Sequence, residues 1–339
     1  MYIHRNIHWK IIVRFAWKHL LVFTAWSTVT MAIHVYLHNH GTNLSIPFAP
    51  LGTIGVAVAF YLGFKNNQSY DRFWEARTIW GSIVNGSRNW ANQVLSYVSN
   101  YHKNASLSEA ELYDIHKRLV YRHLAWINAL RLMLRKQSSF SPNYQGAVRR
   151  YQTGSPERRH WDEEVKPFLS EKDYEDLICV QNMPAQILRR QGDDLKNLME
   201  KSGVIEDFRH MELMASLKDF YADQGRCERI KNTPLPRQYS YFSKVFCWIF
   251  ILLLPFALIS EFHKMGEGYD WLVVPFSVLI SWIFMTIELV GDNSEDPFEN
   301  FINDVPMTAL CRNIEIDLRE MLGETELPPR VLPENGILM

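Results

Sequence analysis

The chain has 339 residues and a formal net charge of −1, with 36 basic side chains set against 37 acidic ones. That balance excludes the overall basic bias of a nucleic-acid-binding protein. Aromatic residues make up 13% of the sequence and include 11 tryptophans, a usage that suits the membrane–water interface better than a soluble core. The four cysteines, Cys179, Cys227, Cys247 and Cys311, lack zinc or disulfide spacing and are expected to be reduced packing residues.

Residues 1–19 alternate apolar and basic positions. Ile7, Ile11, Ile12 and Phe15 fall at helical spacing, with Arg5, Lys10, Arg14 and Lys18 on the remaining faces, as in an interfacial helix leading into a span. No small-residue cleavage site follows a short apolar core, so no removable signal peptide is expected. Span one is predicted over Leu20–His38. Thr24, Ser27, Thr28, Thr30 and His34 interrupt it and should face protein or water. Ser45 is expected to cap a second helix, with Pro47 in its first turn. Between Leu44 and Lys65 there is no charged side chain, and about 20 helical residues span a hydrocarbon core. This span runs without a break into a polar and aromatic stretch, so one helix should pass from lipid into water. Gly52, Gly55, Ala57, Ala59 and Gly63 leave room for close helix approach.

From Asn66 to Tyr239 no window resembles a span. Trp80, Val84, Ser87 and Ala91 continue the long helix as a packed face. Leu112, Ile115, Leu119, Trp126, Leu130 and Met133 form the stripe of an amphipathic helix over 108–136. Residues 139–167 read as a loop-like insertion. Two further helices are predicted over 171–200, interrupted near Pro184, and over 204–229. Spans three and four are expected at Tyr241–Phe262 and Tyr269–Val290, with Pro255 and Pro275 inside them. An acidic loop, a final amphipathic helix and a proline-rich tail, expected to be extended or disordered, complete the chain. The predicted fold is all-α. It comprises residues 1–64 with the interfacial helix and two spans, a helical domain over 65–240, two spans over 241–290 and a C-terminal segment over 291–339.

Orientation follows from the basic residues flanking the spans. The 39–45 loop has no Lys or Arg, and the 261–270 loop has only Lys264. Lys65, Arg72, Arg77, Arg237 and Lys244 flank the opposite ends of spans two and three. Both termini and the 65–240 block are therefore expected to be cytoplasmic.

Two long motifs carry a family likeness. FYLGFKNNQSYDRFWEARTIWG, at 60–81, resembles the signature of bestrophins, particularly their bacterial homologues; EDPFENFINDVPMTALCRNIE, at 295–315, is similar to their acidic segment after the fourth span. The resemblance implies a homopentameric ion channel in a bacterial inner membrane, with lipid, permeating inorganic ions and its own copies as partners and no nucleic acid. It also implies a neck lined by three hydrophobic side chains on the second span, four residues apart. In this sequence they are Val56, Phe60 and Phe64. Four residues make one turn plus about 40°, so the three form one gently rotating stripe about 12 Å long. Five copies would stack three apolar rings, a constriction able to close by dewetting. Chloride is the usual ion of the family, with cation selectivity such as sodium known among bacterial members. A second constriction is expected at the cytosolic end, with Ile187 as the candidate.

The resemblance also bears on cofactors. Animal bestrophins bind activating calcium in the acidic segment, and Asp292, Glu295, Asp296 and Asp304 offer oxygen ligands here. Pro297, Phe298 and Phe301 dilute the run of acids, so no cofactor is expected to be required and calcium is not favoured.

Two rival functions have some support in the sequence. His34 and His38, with His40 nearby, have the HxxxH spacing of a membrane metalloenzyme. The other histidine pairs, His4/His8 and His116/His123, fall across the membrane, so polar packing is the favoured reading of all of them. Asp71 and Glu75 on the YDRFWEAR helix have the spacing of paired acid–base carboxylates, but salt bridges to neighbouring helices are expected instead, with Trp74 and Trp80 as packing residues. A non-conducting membrane scaffold is the second rival. No catalytic residues are expected.

Overall fold

The computed structural model describes residues 1–6, 8–100, 107–136 and 158–339. Ile7 and most of the insertion expected at 139–167 lie outside the described residues, as do the side chains of Lys10, Ile11, Ile12, Arg14 and Phe15. Among the described residues the regular secondary structure is helical, apart from two isolated antiparallel bridges, Tyr2 with Ile337 and Glu334 with Ile337.

In chain order the helices are α1 (Trp9–His38), α2 (Phe48–Tyr97), α3 (Glu109–Arg135), α4 (Arg158–Glu164), α5 (Glu171–Ile178), α6 (Met183–Asn197), α7 (Asp207–Asn232), α8 (Arg237–His263), α9 (Val273–Ser294) and α10 (Met307–Met321). Four segments among the described residues are long and apolar enough to cross a membrane: Ala16–His38, the helix Phe48–Tyr97, Arg237–His263 and Gly268–Ser294. The protein is an integral membrane protein.

The element that positions everything else is α2. Its 50 residues make a rod about 75 Å long at 1.5 Å per residue, whereas a hydrocarbon core is about 30 Å thick. More than half of α2 must therefore stand outside the bilayer. Its start differs from the expectation: Pro47 is the residue before the helix, no side chain caps it, and the Ser45 amide instead donates to Asn43 Oδ1 at 2.9 Å.

Two separate cores hold α2. Between the spans, Phe23 of α1, Leu51, Val58 and Leu62 of α2, Phe250 and Leu254 of α8 and Met285 of α9 are buried together. A Cβ on Gly55 would stand 2.8 Å from the Phe250 ring, so the glycine permits the α2–α8 approach. Gly63 meets nothing within 4 Å and has no such role within the protomer. Near Pro255, whose ring interrupts the α8 ladder, Trp26 Nε1 donates to Leu252 O at 3.2 Å and the Ile46 amide to Phe256 O at 3.2 Å. Pro275 lies in the first turn of α9, where its missing N–H costs little, because a 3₁₀ turn over Glu267–Leu272 precedes that helix.

The second core lies beyond the spans and joins the lower half of α2 to α3, α6, α7 and α10. Trp80, Trp90, Trp126 and Phe220 are essentially inaccessible to solvent. From Leu119 to Leu134, α3 is buried almost all round, because α2, α4, α6 and α10 surround it. Its expected stripe is present but understates the burial. A capping box starts the helix: the Glu111 amide donates to Ser108 Oγ at 3.3 Å and the Ser108 amide to Glu111 Oε2 at 2.9 Å. At the Pro184 interruption, Asn182 Oδ1 accepts from the Ala185 amide at 3.1 Å and so begins α6. The tail is extended but ordered against the N-terminus. The Ile3 amide donates to Gly336 O and the Leu338 amide to Met1 O, each at 2.9 Å, and Ile337 is buried.

Candidate pore-lining face and its buried anchor

The outward side of α2 carries Val56, Phe60 and Phe64, which are 73%, 68% and 55% exposed in the protomer. Three large apolar side chains at one-turn spacing face away from the chain's own core, which no soluble surface would favour. The Phe60 and Phe64 rings meet edge to face, with centroids 4.6 Å apart. Five helical turns beyond Val56 the same face carries Trp74, with Tyr70 stacked on it at 6.4 Å. Trp80 packs as expected, but Trp74 is 59% exposed and belongs to this outer face.

The opposite side of α2 is pinned at the level of the last phenylalanine. Lys65 and Glu288 are both buried, and Nζ donates to Glu288 Oε1 at 2.7 Å and also to Asp292. Ser243 Oγ donates to Glu288 Oε2 at 2.6 Å, and Ser240 Oγ to Asp292 Oδ1 at 3.2 Å. Ion pairs out of water survive only with such full satisfaction. Asn66 Nδ2 adds bonds to Leu62 O at 2.9 Å and Ile287 O at 3.1 Å, opposite Gly291 of α9. About two turns further down, the Arg72 guanidinium donates to Ile230 O at 2.9 Å, Thr233 O at 2.8 Å and Glu295 O at 2.9 Å. These carbonyls close the C-terminal ends of α7 and α9, where a cation also meets the negative helix ends. Glu75 pairs with Arg229 of α7, and Asp71 is exposed, so the two carboxylates do not act on a shared point.

The acidic segment is spread over separate partners. Asp292 belongs to the Lys65 cluster. Glu295 Oε1 accepts from the Leu235 amide at 3.2 Å and lies 3.9 Å from Arg237. Lys231 pairs with Glu299. Asp304 Oδ2 accepts from the Phe301 amide at 3.0 Å, bracing a turn in which Asn300 takes a φ of 69°. Among the described residues, Asp292, Glu295, Asp296 and Asp304 do not form a group of three or more with ligand atoms close enough for one ion. Burial pushes the Glu295 and Asp296 carboxyls up, and that of Asp304 to about 7. The N-terminal amine, which faces Asp304 across a pocket also lined by Asn66, Tyr70 and Phe73, is pushed down by burial to about 6.

Ile187 is 1% exposed, inside the protomer's own core. A side chain placed there packs α6 against its neighbours and does not face an axis outside the chain. The exposed apolar residue nearby is Val180, at the turn between α5 and α6. Lys65 and Glu288 were the residues sequence reasoning missed. A single acid in an otherwise apolar span was the available signal.

The profile of the family described as "Bacterial/Fungal Bestrophin protein" matches residues 3–320. The chain is 32% identical over 296 residues to the voltage-dependent anion channel-forming protein YneE of Escherichia coli O157:H7, covering 86% of this chain and 83% of that protein. Over 336 residues it is 26% identical to the voltage-dependent anion channel-forming protein RSc3414 of Ralstonia nicotianae, covering 96% of each. Its fold is similar to the crystal structure of a bacterial bestrophin homologue from Klebsiella pneumoniae, with a TM-score of 0.74 at 26% identity, over 93% of this chain and 100% of that one. With two signature stretches that anchor α2 and brace the turn after α9, and a match across nearly its whole length, this chain belongs to the bacterial and fungal bestrophin family.

Proposed function

We propose that the protein is the protomer of a homopentameric channel for small monovalent ions, with chloride foremost, and that Val56, Phe60 and Phe64 form its neck. The observation that carries this reading is the apolar stripe on a membrane-spanning helix, exposed by more than half at each position and turned away from the protomer core. Five copies around an axis would cover it and leave three rings that offer an ion nothing in exchange for its hydration shell. The anion preference rests on the similar proteins named as anion channel-forming, because the rings themselves carry no charge. Phenylalanine edges are electropositive, so rings turned edge-on to the axis would act in the same direction. The family and its channel-forming relatives speak against the metalloenzyme reading.

The membrane is the bacterial inner membrane, with both termini and the helical domain in the cytoplasm. The pairing of residues 1–3 with 336–338 supports a shared side for the two termini, independently of the charge count. No cofactor is required, and calcium is not the favoured occupant of the acidic segment, where Asp292, Glu295 and Asp304 already have protein partners.

The test is ion flux in liposomes that contain this protein alone. Phe60→Ala and Phe64→Ala should each raise the flux by widening the constriction; unchanged flux in both variants sinks the neck assignment. Reversal potentials under asymmetric sodium chloride decide the sign of the permeating ion. A native mass other than five protomers overturns the axial pore.

A further inference from the structure

At the end of the spans opposite the helical domain, three segments converge that are far apart in sequence. These are the last turns of α1, the C-terminus of α8 and the 3₁₀ turn before α9. They bring together His34, His263 and Asp270, whose ligand-capable atoms all lie within 4.8 Å of one another. Beside them stands His38, its ring centroid 5.7 Å from that of His34 and 5.3 Å from that of His263.

Hydrogen bonding leaves this cluster incomplete. His34 is 3% exposed, yet its Nδ1 has no hydrogen-bond partner. Asp270 Oδ2 shares a hydrogen bond with His263 Nδ1 at 3.5 Å, whereas the buried Oδ1, at the same distance from that nitrogen, has no hydrogen-bond partner. Buried polar atoms almost always find partners, so two orphans in one cluster call for a missing one. A tetrahedral zinc with bonds of about 2.0–2.1 Å sets its ligands about 3.4 Å apart, within reach of small side-chain rotations from the spacing seen here. Two imidazoles and one carboxylate suit a borderline transition metal and not calcium or magnesium, which prefer all-oxygen sites.

We propose that His34, His263 and Asp270 bind one divalent transition-metal ion of the zinc class at the extracytoplasmic end of the protomer. The ion ties α1 to the α8–α9 turn, and His38 or water fills its fourth position. The side of the membrane rests on the topology above, but the metal site itself does not. It lies away from the α2 stripe and implies no catalysis.

Untagged full-length protein, stripped with chelator in detergent, is titrated with zinc sulfate under equilibrium dialysis. The expected result is about one zinc per chain, a higher thermal unfolding temperature with metal, and at least about tenfold weaker binding in His263→Ala and in Asp270→Asn. His40→Ala, whose ring nitrogen bonds Tyr36 O at 2.8 Å, should bind as the unaltered protein does. Zinc-edge X-ray absorption of the unaltered protein should show imidazole and oxygen ligands without sulfur, a readout that needs no variant to fold. Absence of bound zinc, sulfur among its ligands, or full affinity in the His34→Ala/His263→Ala double variant overturns the site, whatever the channel measurements give.

Discussion

Replacing Lys65 by methionine should destabilise the protomer through a buried charge left behind, and the size of the loss can be worked from the anchor. Lys65 neutralises two carboxylates, and both it and Glu288 have side chains only 1% exposed. Breaking a buried pair by removing one partner costs about 3–5 kcal/mol. The lower end applies here, because Glu288 keeps its bond from Ser243, and Asp292 is 9% exposed and keeps Ser240. A loss of about 3 kcal/mol corresponds to a fall of about 6–12 °C in unfolding temperature, using the scale of smaller domains. Removing both charges, in Lys65→Met/Glu288→Met, leaves Asp292, 9% exposed and still bonded by Ser240, as the cluster's remaining carboxylate and should recover part of the loss. Contacting residues typically show coupling of about 0.5–3 kcal/mol in such a cycle. The assay is thermal unfolding of detergent-solubilised protein across the four variants, with liposome leak as a second readout because Lys65 follows Phe64 directly. A single variant within a degree of the parent, or strictly additive losses in the double variant, would refute the anchor.

Other expected outcomes concern the cytosolic core and helix packing. His123 is held neutral among Trp90, Trp126 and Phe220; its Nε2 donates to Ser87 Oγ at 2.8 Å, because that hydroxyl is itself donating to Ile83 O. Burial pushes its pKa down to about 3, so its contribution is intact above its ordinary 6.5 and is lost as pH falls towards 3, by about 1.4 kcal/mol per unit. His123→Asn should flatten the acid side of an unfolding-temperature profile. Asp304 acts with the opposite sign: its raised pKa, about 7, favours the fold below its ordinary 3.8 and loses that contribution as pH rises through 7. Asp304→Asn should therefore steepen the acid loss between about pH 4 and 7, and a profile unchanged from the parent would show that the carboxyl is not buried in solution. Gly55→Ala places a Cβ against Phe250, which rests on Phe284 with ring centroids 4.5 Å apart, and should cost about 1–3 kcal/mol by thermal unfolding.

The spans, the continuity of α2 and its packed lower face were legible because each leaves a local mark: a charge-free run, an unbroken helical period, and Trp80, Val84, Ser87 and Ala91 at helical spacing. The same period placed Val56, Phe60 and Phe64 on one face, although only the resemblance suggested that the face lines a pore. What escaped was decided at long range. Lys65 read as a topology marker, since nothing near it in sequence announces that Glu288 and Asp292 will meet it. His34 was paired by spacing with His38, whereas its nearer partners for chemistry, His263 and Asp270, arrive from the other half of the chain. Composition left the tail either extended or disordered; the choice is made by its pairing with residues 1–3, a contact no local pattern encodes. Ile187 failed as a pore candidate for a related reason. An apolar residue after a helix break can point inward or outward, and the neighbouring helices decide which.

The way α2 is held constrains how a neck on its outer face could open. Beyond Pro50, in its first turn, the helix has no proline, and its inner face is fixed at successive levels by Phe250 against Gly55, by the Lys65 cluster, by Arg72 across two helix ends and by the buried tryptophans. Moving the main chain at the neck would disturb several of these contacts at once, among them a buried ion cluster whose rupture alone costs about 3–5 kcal/mol. Rotating Phe60 and Phe64 disturbs one edge-to-face contact, worth about 0.5–1.5 kcal/mol. If the neck gates, ring rotation with wetting is the cheaper route by this comparison. It follows that Phe64→Leu, which removes the ring contact and keeps an apolar side chain, should raise open probability without the stability loss of Lys65→Met. Equal destabilisation by the two variants would tie the gate to the main chain instead.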